Sequence, residues 1–150
     1  MKLQKSTVLA LCSVLEAARD PGRAVSGAEI AERYGASVHH LAKVLRRLVQ
    51  AGMLEATPGV GGGYRFIGNA KRLTLMDIIS LFEDVTLKPT TASSEPEFAT
   101  GVGRVLDQVL TEIDATAKAA FYSITIATTM KLIERNQRRG LLPPSGLRRA

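Results

Sequence analysis

The chain has 150 residues, of which 45% are hydrophobic, and a formal net charge of +6. This length allows one hydrophobic core of domain size, and the positive charge favours DNA or an anionic membrane surface as partner. No apolar run approaches the ~20 residues that cross a bilayer, and the first residues lead into an amphipathic helix rather than a signal peptide. We therefore expect a cytoplasmic protein that does not contact a membrane.

The cysteine content excludes several kinds of site. The single cysteine, Cys12, allows no internal disulfide and no zinc or iron–sulfur site built from several thiolates. It falls on an apolar stripe of the first predicted helix, together with Val8, Leu11 and Leu15. This position predicts a buried core residue rather than a redox sensor.

Three predicted helices open the chain. The first covers about residues 2–19 and ends at Asp20-Pro21-Gly22, where proline disfavours helical geometry in the preceding residue. Ser26 caps a short second helix that stops at Gly35, and Ser37 caps a third helix that ends near Gly52. Two short helices joined by a tight turn are typical of a helix-turn-helix motif.

A predicted β-hairpin follows directly. Met53-Leu54 and the alternating residues 64–67 flank the glycine-rich turn 58–63. The glycines of this turn allow positive φ and let backbone amides approach a phosphate. The fold class is therefore mainly α with a small β-hairpin, a winged helix-turn-helix module at residues 1–84.

The second half of the chain is predicted to be helical. Thr74 and Asp77 have the spacing of a capping box at the start of a helix reaching about Asp84, whose apolar side should pack on the winged helix. A polar loop at residues 85–97 precedes two helices at residues 98–136 and a disordered tail at residues 137–150. The longer of these helices carries an aliphatic stripe without a partner of equal length, consisting of Val102, Val105, Leu106, Val109, Leu110 and Ile113. We interpret it as a dimer interface, with packing against the first helix as the alternative.

The third helix has one apolar side and one basic and polar side. The apolar side consists of Leu41, Val44, Leu45, Leu48 and Val49. The other side contains no acidic residue, whereas an ordinary solvated helix face usually mixes both signs. This basic side is typical of a recognition helix in the groove of DNA.

Position along this helix predicts the role of each residue. Residues near the N-terminus of a recognition helix reach base edges, while residues further along pair with phosphates. Base contacts are therefore assigned to Ser37, His39, His40 and Lys43, and phosphate contacts to Arg46 and Arg47. Two adjacent histidines on one helix cannot both face a metal, so we expect no metal site there.

Further DNA contacts are expected outside the third helix. Lys2 can reach the phosphate backbone from the start of the chain. In the wing, Gly62 and Tyr64 are candidate contacts, and Arg65 either enters the minor groove or clamps a phosphate.

The pattern resembles the Rrf2 family of bacterial transcription regulators. The resemblance is carried by Leu3, Glu29-Ile30-Ala31-Glu32-Arg33, Ser37 with Leu41, residues 48–54, Gly61-Gly62-Gly63-Tyr64, residues 74–79 and residues 124–126. It covers about residues 1–135. The resemblance implies a homodimer with a winged helix at each end, crossed long helices between them and a palindromic DNA operator.

The sequence departs from this family at its sensory loop and its wing. Family members that bind an iron–sulfur cluster have three cysteines in the loop before the long helix, which corresponds to residues 85–97 here. This chain instead has Thr90, Thr91, Ser93 and Ser94 in that loop, and Glu97 near the position of the third cysteine. We therefore expect no cofactor of the iron–sulfur type. The loop either binds a small-molecule or protein effector or serves only as a connector. Pro58 replaces an arginine of the wing, and Ala42 an acidic residue that tunes base preference in some relatives.

A dimeric repressor has two alternatives, an enzyme and a protein-binding module. An enzyme is not expected, since no nucleophile lies near a histidine with an orienting third group. A winged-helix module that binds another protein, without sequence-specific DNA binding, is the alternative. Such a module should carry acidic or apolar residues on its recognition face, whereas this face is basic.

Overall fold

The computed structural model describes residues 2–84 and 96–142. Within these ranges the elements in chain order are α1 Lys5–Arg19, α2 Gly27–Tyr34, α3 Val38–Gln50, β1 Leu54–Thr57, β2 Gly63–Phe66, α4 Leu75–Ile79, α5 Pro96–Ala99, α6 Gly101–Ser123 and α7 Ile126–Arg138. The protein is thus mainly helical with one antiparallel hairpin. None of the helices in the described ranges combines the length and apolar character needed to cross a membrane.

The helix caps follow the sequence predictions. Ser26 and Glu29 form a reciprocal capping box at α2, with N–H to side-chain oxygen distances of 3.0 and 3.1 Å. Thr74 and Asp77 form a second box at α4. At α3, the Ser37 hydroxyl accepts from the His40 N–H at 3.1 Å. These bonds satisfy N–H groups that have no partner inside a helix, which fixes where each helix begins.

The wing contains the predicted hairpin and a further paired segment. β1 and β2 run antiparallel, with Leu54 opposite Phe66 and Thr57 opposite Gly63. Val25, just before α2, pairs with Tyr64 through two backbone hydrogen bonds of 2.8 Å each. The pairing ties the wing to the α1–α2 connection.

One hydrophobic core joins the winged helix to the start of α7. α1, α3, the hairpin and α4 supply most of it, and Ile126 of α7 is fully buried among them. Beside it, the Leu75 N–H donates to the Ile124 carbonyl at 2.9 Å, and the Ile126 N–H to the Leu73 carbonyl at 2.8 Å. The division between residues 1–84 and 98–136 therefore does not separate two cores.

The buried side of α1 differs from the predicted one. Val8 is 45% exposed, and Leu11, Cys12 and Leu15 are only half-buried. The fully buried positions are mostly small residues, namely Thr7, Ala10, Ser13, Val14 and Ala17. Short side chains allow α1 to lie close to the elements beneath it, and the Ser13 hydroxyl is satisfied by the Leu9 carbonyl at 2.6 Å. The prediction that Cys12 is a core residue was therefore wrong.

Several boundaries also moved. α1 begins at Lys5 rather than Lys2, and α4 ends at Ile79, well before residue 84. α6 begins at Gly101, because Thr100 accepts the Gly103 N–H at 2.9 Å and caps the helix there. Of the predicted loop and tail, residues 85–95 and 143–150 lie outside the described residues.

Candidate nucleic-acid interface

Burial of one side of α3 leaves its basic side facing solvent. Leu41, Val44, Leu45 and Leu48 are at most 2% exposed and fix the rotation of the helix. The exposed residues of α3 are Val38 at its first position and then His39, Ala42, Lys43, Arg46, Arg47 and Gln50. This exposed side contains no acidic side chain, so it can approach the phosphates of DNA without like-charge repulsion.

The N-terminal end of α3 shows how the predicted base-reading residues differ. Ser37 is exposed, and its hydroxyl hydrogen is left to donate after the oxygen has capped the helix. His39 and Lys43 are exposed, whereas His40 is half-buried with Nε2 3.3 Å from the Ser6 hydroxyl oxygen. His39 and Lys43 are therefore better placed to enter a groove than His40, whose ring contacts α1.

The predicted phosphate-binding arginines of α3 have different surroundings. Arg46 is exposed, and the described residues give it no ion pair. The guanidinium of Arg47 lies over the ring of Phe82, with its carbon 5.1 Å from the ring centre. Both remain on the solvent side of α3. Phe82 lies on the apolar side of the segment predicted to pack on the winged helix, but its contact with Arg47 was not predicted.

The glycines of the wing serve the hairpin itself. The Gly62 N–H donates to the Gly59 carbonyl at 3.0 Å, so this amide is not directed at a phosphate. A Cβ on Gly62 would clash with the Thr57 carbonyl and lie 2.8 Å from the Gly59 carbonyl. Gly63 has φ +148, and a Cβ there would lie 2.6 Å from the Val25 carbonyl. Close backbone contacts therefore account for Gly62 and Gly63.

Tyr64 and Arg65 follow on β2 and face different surroundings. The half-buried Tyr64 packs against the core, and its backbone pairs with Val25. Arg65 is opposite Glu55 in the hairpin register and lines an open groove of about 610 Å³. Arg23, Ser26 and Glu29 also line this groove. Arg65 keeps a position from which to meet a phosphate, whereas Tyr64 supports the wing.

Lys2 lies before the first turn of α1 and is exposed, as is Lys5. The first turn of α1 contacts α3 through the Ser6–His40 pair. Lys2 is thus near the N-terminal part of α1 that adjoins the recognition helix.

A second surface is apolar and lies on α6. Its exposed fractions are 83% for Val102, 62% for Val105, 50% for Leu106, 45% for Val109 and 51% for Ile113, while Leu110 is half-buried. We call these six residues the aliphatic stripe. Since most of the stripe is exposed in one chain, the alternative that it packs against α1 is not realised.

Glu16 lies at the centre of a polar cluster between α1 and α2. Its carboxylate accepts from the Tyr34 hydroxyl at 2.6 Å and from Arg33 at 2.8 Å. Burial alone would raise the pKa of Glu16, but the hydrogen bonds from Tyr34 and Arg33 outweigh it and lower the pKa. Burial raises the pKa of the neighbouring Cys12 thiol, so this cysteine stays protonated.

Comparison with known proteins gives concordant results. The family model described as "Rrf2: Iron-dependent Transcriptional regulator" matches residues 3–132. The putative HTH-type transcriptional regulator BadM of Rhodopseudomonas palustris is 46% identical over 146 residues, which are 97% of this chain and 92% of that protein.

Solved structures share the fold. The structure of T. potens IscR superposes with a TM-score of 0.73, 25% identity and coverage of 91% of both chains. CymR, the global cysteine regulator of B. subtilis, gives a TM-score of 0.70 at 20% identity over 88% of this chain and 98% of its own. The resemblance read from the sequence is thereby confirmed.

The iron dependence in the family description does not fit the donors of this chain. A thiolate-bound cluster needs several cysteines, whereas the chain has only Cys12, half-buried in α1 with a raised pKa. Within residues 2–84 and 96–142, no three His, Cys, Asp or Glu side chains gather to hold a metal ion. The predicted effector residues Thr90, Thr91, Ser93 and Ser94 lie outside the described residues, and Glu97 is exposed in α5.

Proposed function

Because the chain belongs to the Rrf2 family of DNA-binding transcriptional regulators, we propose that it acts as a homodimer that binds a palindromic operator and represses transcription there. The observation that carries this proposal is the exposed aliphatic stripe of α6. Burying one Val, Leu or Ile side chain stabilises an assembly by about 1.5 to 3 kcal/mol. A second copy of the same helix offers matching apolar side chains at a two-fold axis.

Dimerisation gives the DNA contacts their arrangement. Two α3 helices related by a two-fold axis enter successive major grooves, where Ser37, His39 and Lys43 of each chain read base edges. His40, whose ring contacts Ser6 of α1, instead holds this end of α3 in place. Arg46, Arg47 and Lys2 bind phosphates and supply affinity for any sequence. Arg65 binds the DNA backbone beside the groove, and the wing residues Gly62 and Tyr64 shape the hairpin that presents it. The half-sites then form an inverted repeat.

Repression follows from the area of DNA that such a dimer covers. A dimer that spans two half-sites within a promoter excludes RNA polymerase from the same DNA. The site of action is the compartment that holds the genome, the cytoplasm of a bacterial cell. An effector, a small molecule or a protein, would alter occupancy by binding one dimer conformation better than another.

The dimer interface is tested by placing charge in the aliphatic stripe. We expect the double variant Val109→Asp, Leu110→Asp to sediment as a folded monomer and to lose operator binding, because two carboxylates would be desolvated at the seam. A matched control, Thr111→Asp with Ala115→Asp, adds the same charge to exposed positions elsewhere on α6 and should remain dimeric. A dimer for the Val109, Leu110 variant would contradict the proposal.

A further inference from the structure

The segment after α4 contacts both α3, the proposed recognition helix, and the N-terminal end of α1. Phe82 is half-buried against the core, and the Arg47 guanidinium of α3 lies over its ring at 5.1 Å. The next residue, Glu83, accepts hydrogen bonds from the Gln4 N–H and from the Thr7 hydroxyl, both at 2.6 Å. Two adjacent residues therefore contact α3 on one side and α1 on the other.

Glu83 fixes this segment in place. Gln4 is the N-cap residue of α1, and its own side chain makes no capping hydrogen bond. The Glu83 carboxylate lies at this helix N-terminus, where the partial positive charge favours an anion. The hydrogen bonds from Thr7 and Gln4 lower the pKa of Glu83, so it is ionised at neutral pH. Thr7 is fully buried, which makes it a rigid anchor.

Phe82 in turn restricts Arg47. The face of a phenyl ring carries partial negative charge and attracts a guanidinium, while the N–H groups at the guanidinium edge stay available to a phosphate. An unrestrained arginine loses rotamer freedom when it binds, a cost equivalent to about twofold to tenfold in affinity. A side chain already held over a ring has lost part of that freedom before DNA arrives.

We propose that Phe82 and Glu83 are positioning residues for DNA binding: Phe82 holds Arg47 ready for a phosphate, and Glu83 holds Phe82 through α1. This inference rests on the proposed function, in which Arg47 contacts the DNA backbone. It places part of the DNA affinity in a segment that lies outside the helix-turn-helix and the wing.

The test compares affinities for a mixed-sequence DNA duplex of about 30 base pairs, because a phosphate contact does not require the operator. Arg47→Ala should bind about tenfold more weakly. The slope of the logarithm of the binding constant against the logarithm of the salt concentration should become shallower by about 0.9 per chain. Phe82→Leu, which keeps an apolar side chain but removes the ring, should bind about threefold to fivefold more weakly. Phe82→Tyr retains the ring face and should restore most of the affinity.

A double-mutant cycle separates positioning from a general structural role. In the Arg47→Ala background, neither Phe82→Leu nor Glu83→Ala should weaken DNA binding any further. Circular dichroism and thermal unfolding check that each variant folds, and Phe82→Met, an unbranched and more flexible apolar replacement, substitutes for Phe82→Leu if the latter unfolds.

The possible failures are distinguishable. If Arg47→Ala binds like the wild type, the phosphate contact in the proposed function is wrong. If Arg47→Ala weakens binding but Phe82→Leu does not, or weakens it equally in both backgrounds, the positioning role is wrong. Tighter binding by Phe82→Leu would also overturn it, since the ring would then hold Arg47 away from DNA.

Discussion

The exposed side chains of α3 differ in their distance from the start of the helix, and this order predicts separate roles. Lys43, in the N-terminal half, has the donors to bind guanine O6 or N7, whereas Arg46 lies further along, among the proposed phosphate contacts. Lys43→Ala should therefore reduce the discrimination against the wrong base at one operator position by about 1–3 kcal/mol. Arg46→Ala should weaken binding to all sequences alike.

This difference is measured by competition between a scrambled duplex and an operator that the purified protein has selected from a random DNA pool. The ratio of the two affinities should fall for Lys43→Ala and remain constant for Arg46→Ala. Parallel losses on both duplexes for Lys43→Ala would mean that this lysine does not read a base.

Glu16 makes the stability of the fold depend on pH. Its hydrogen bonds and its ion pairs with Arg33 and Arg19 keep its pKa below the ordinary value of 4.5. A carboxyl whose pKa is lowered by folding stabilises the fold above its unfolded pKa, and that contribution is lost as the pH falls through the folded pKa. Glu16→Gln should therefore unfold at a lower temperature than the wild type at pH 7, and the difference should shrink as the pH falls from 4.5 through the lowered folded pKa. A difference that stays constant from pH 7 to pH 3 would exclude this origin.

At the scale of elements, the hairpin depends on glycines for close backbone contacts. Gly62→Ala should destabilise the wing by about 1–3 kcal/mol, because the added Cβ meets the backbone at Thr57 and Gly59. The unfolding temperature and the DNA affinity should both decrease. Gly101→Ala, where nothing lies within 4 Å of the added Cβ, is the matched control and should leave both unchanged. If Gly62→Ala, like Gly101→Ala, left the unfolding temperature and the DNA affinity unchanged, the wing would tolerate the added Cβ and this prediction would be wrong.

Local sequence signals predicted the elements whose ends are set by neighbouring residues. Ser26, Ser37 and Thr74 cap α2, α3 and α4 through residues three positions along the chain, so their spacing is readable. The apolar period of α3 likewise predicted its buried side and therefore its basic side. Glycine spacing predicted the hairpin, although Gly62 directs its amide within the turn rather than toward a ligand.

Contacts between distant parts of the chain were not predictable in this way. The buried side of α1 is lined by Ala10, Ser13 and Ala17, because close packing there selects small residues over large apolar ones. The pairing of Val25 with Tyr64 and the placement of Phe82 beneath Arg47 join residues far apart in sequence. No periodicity within one element carries such information.

At the scale of the whole molecule, the recognition helix and the aliphatic stripe are parts of one structure. Ile126, at the junction of α6 and α7, is buried in the same core as Leu41 and Leu45 of α3. Thr74 and Thr125 bring the chain segments before α4 and α7 together as a β-bridge. A dimer formed through α6 would therefore set the separation of the two α3 helices, and with it the spacing of the half-sites.

That spacing is the most direct test of a dimeric regulator that reads a palindrome. Purified protein would be used to select binding sites from a random DNA pool, and the number of chains per selected duplex would be measured by sedimentation. We predict an inverted repeat with half-site centres about one helical turn, ~10 base pairs, or a multiple of it apart, bound by two chains. A single unrepeated motif bound by one chain would contradict the account.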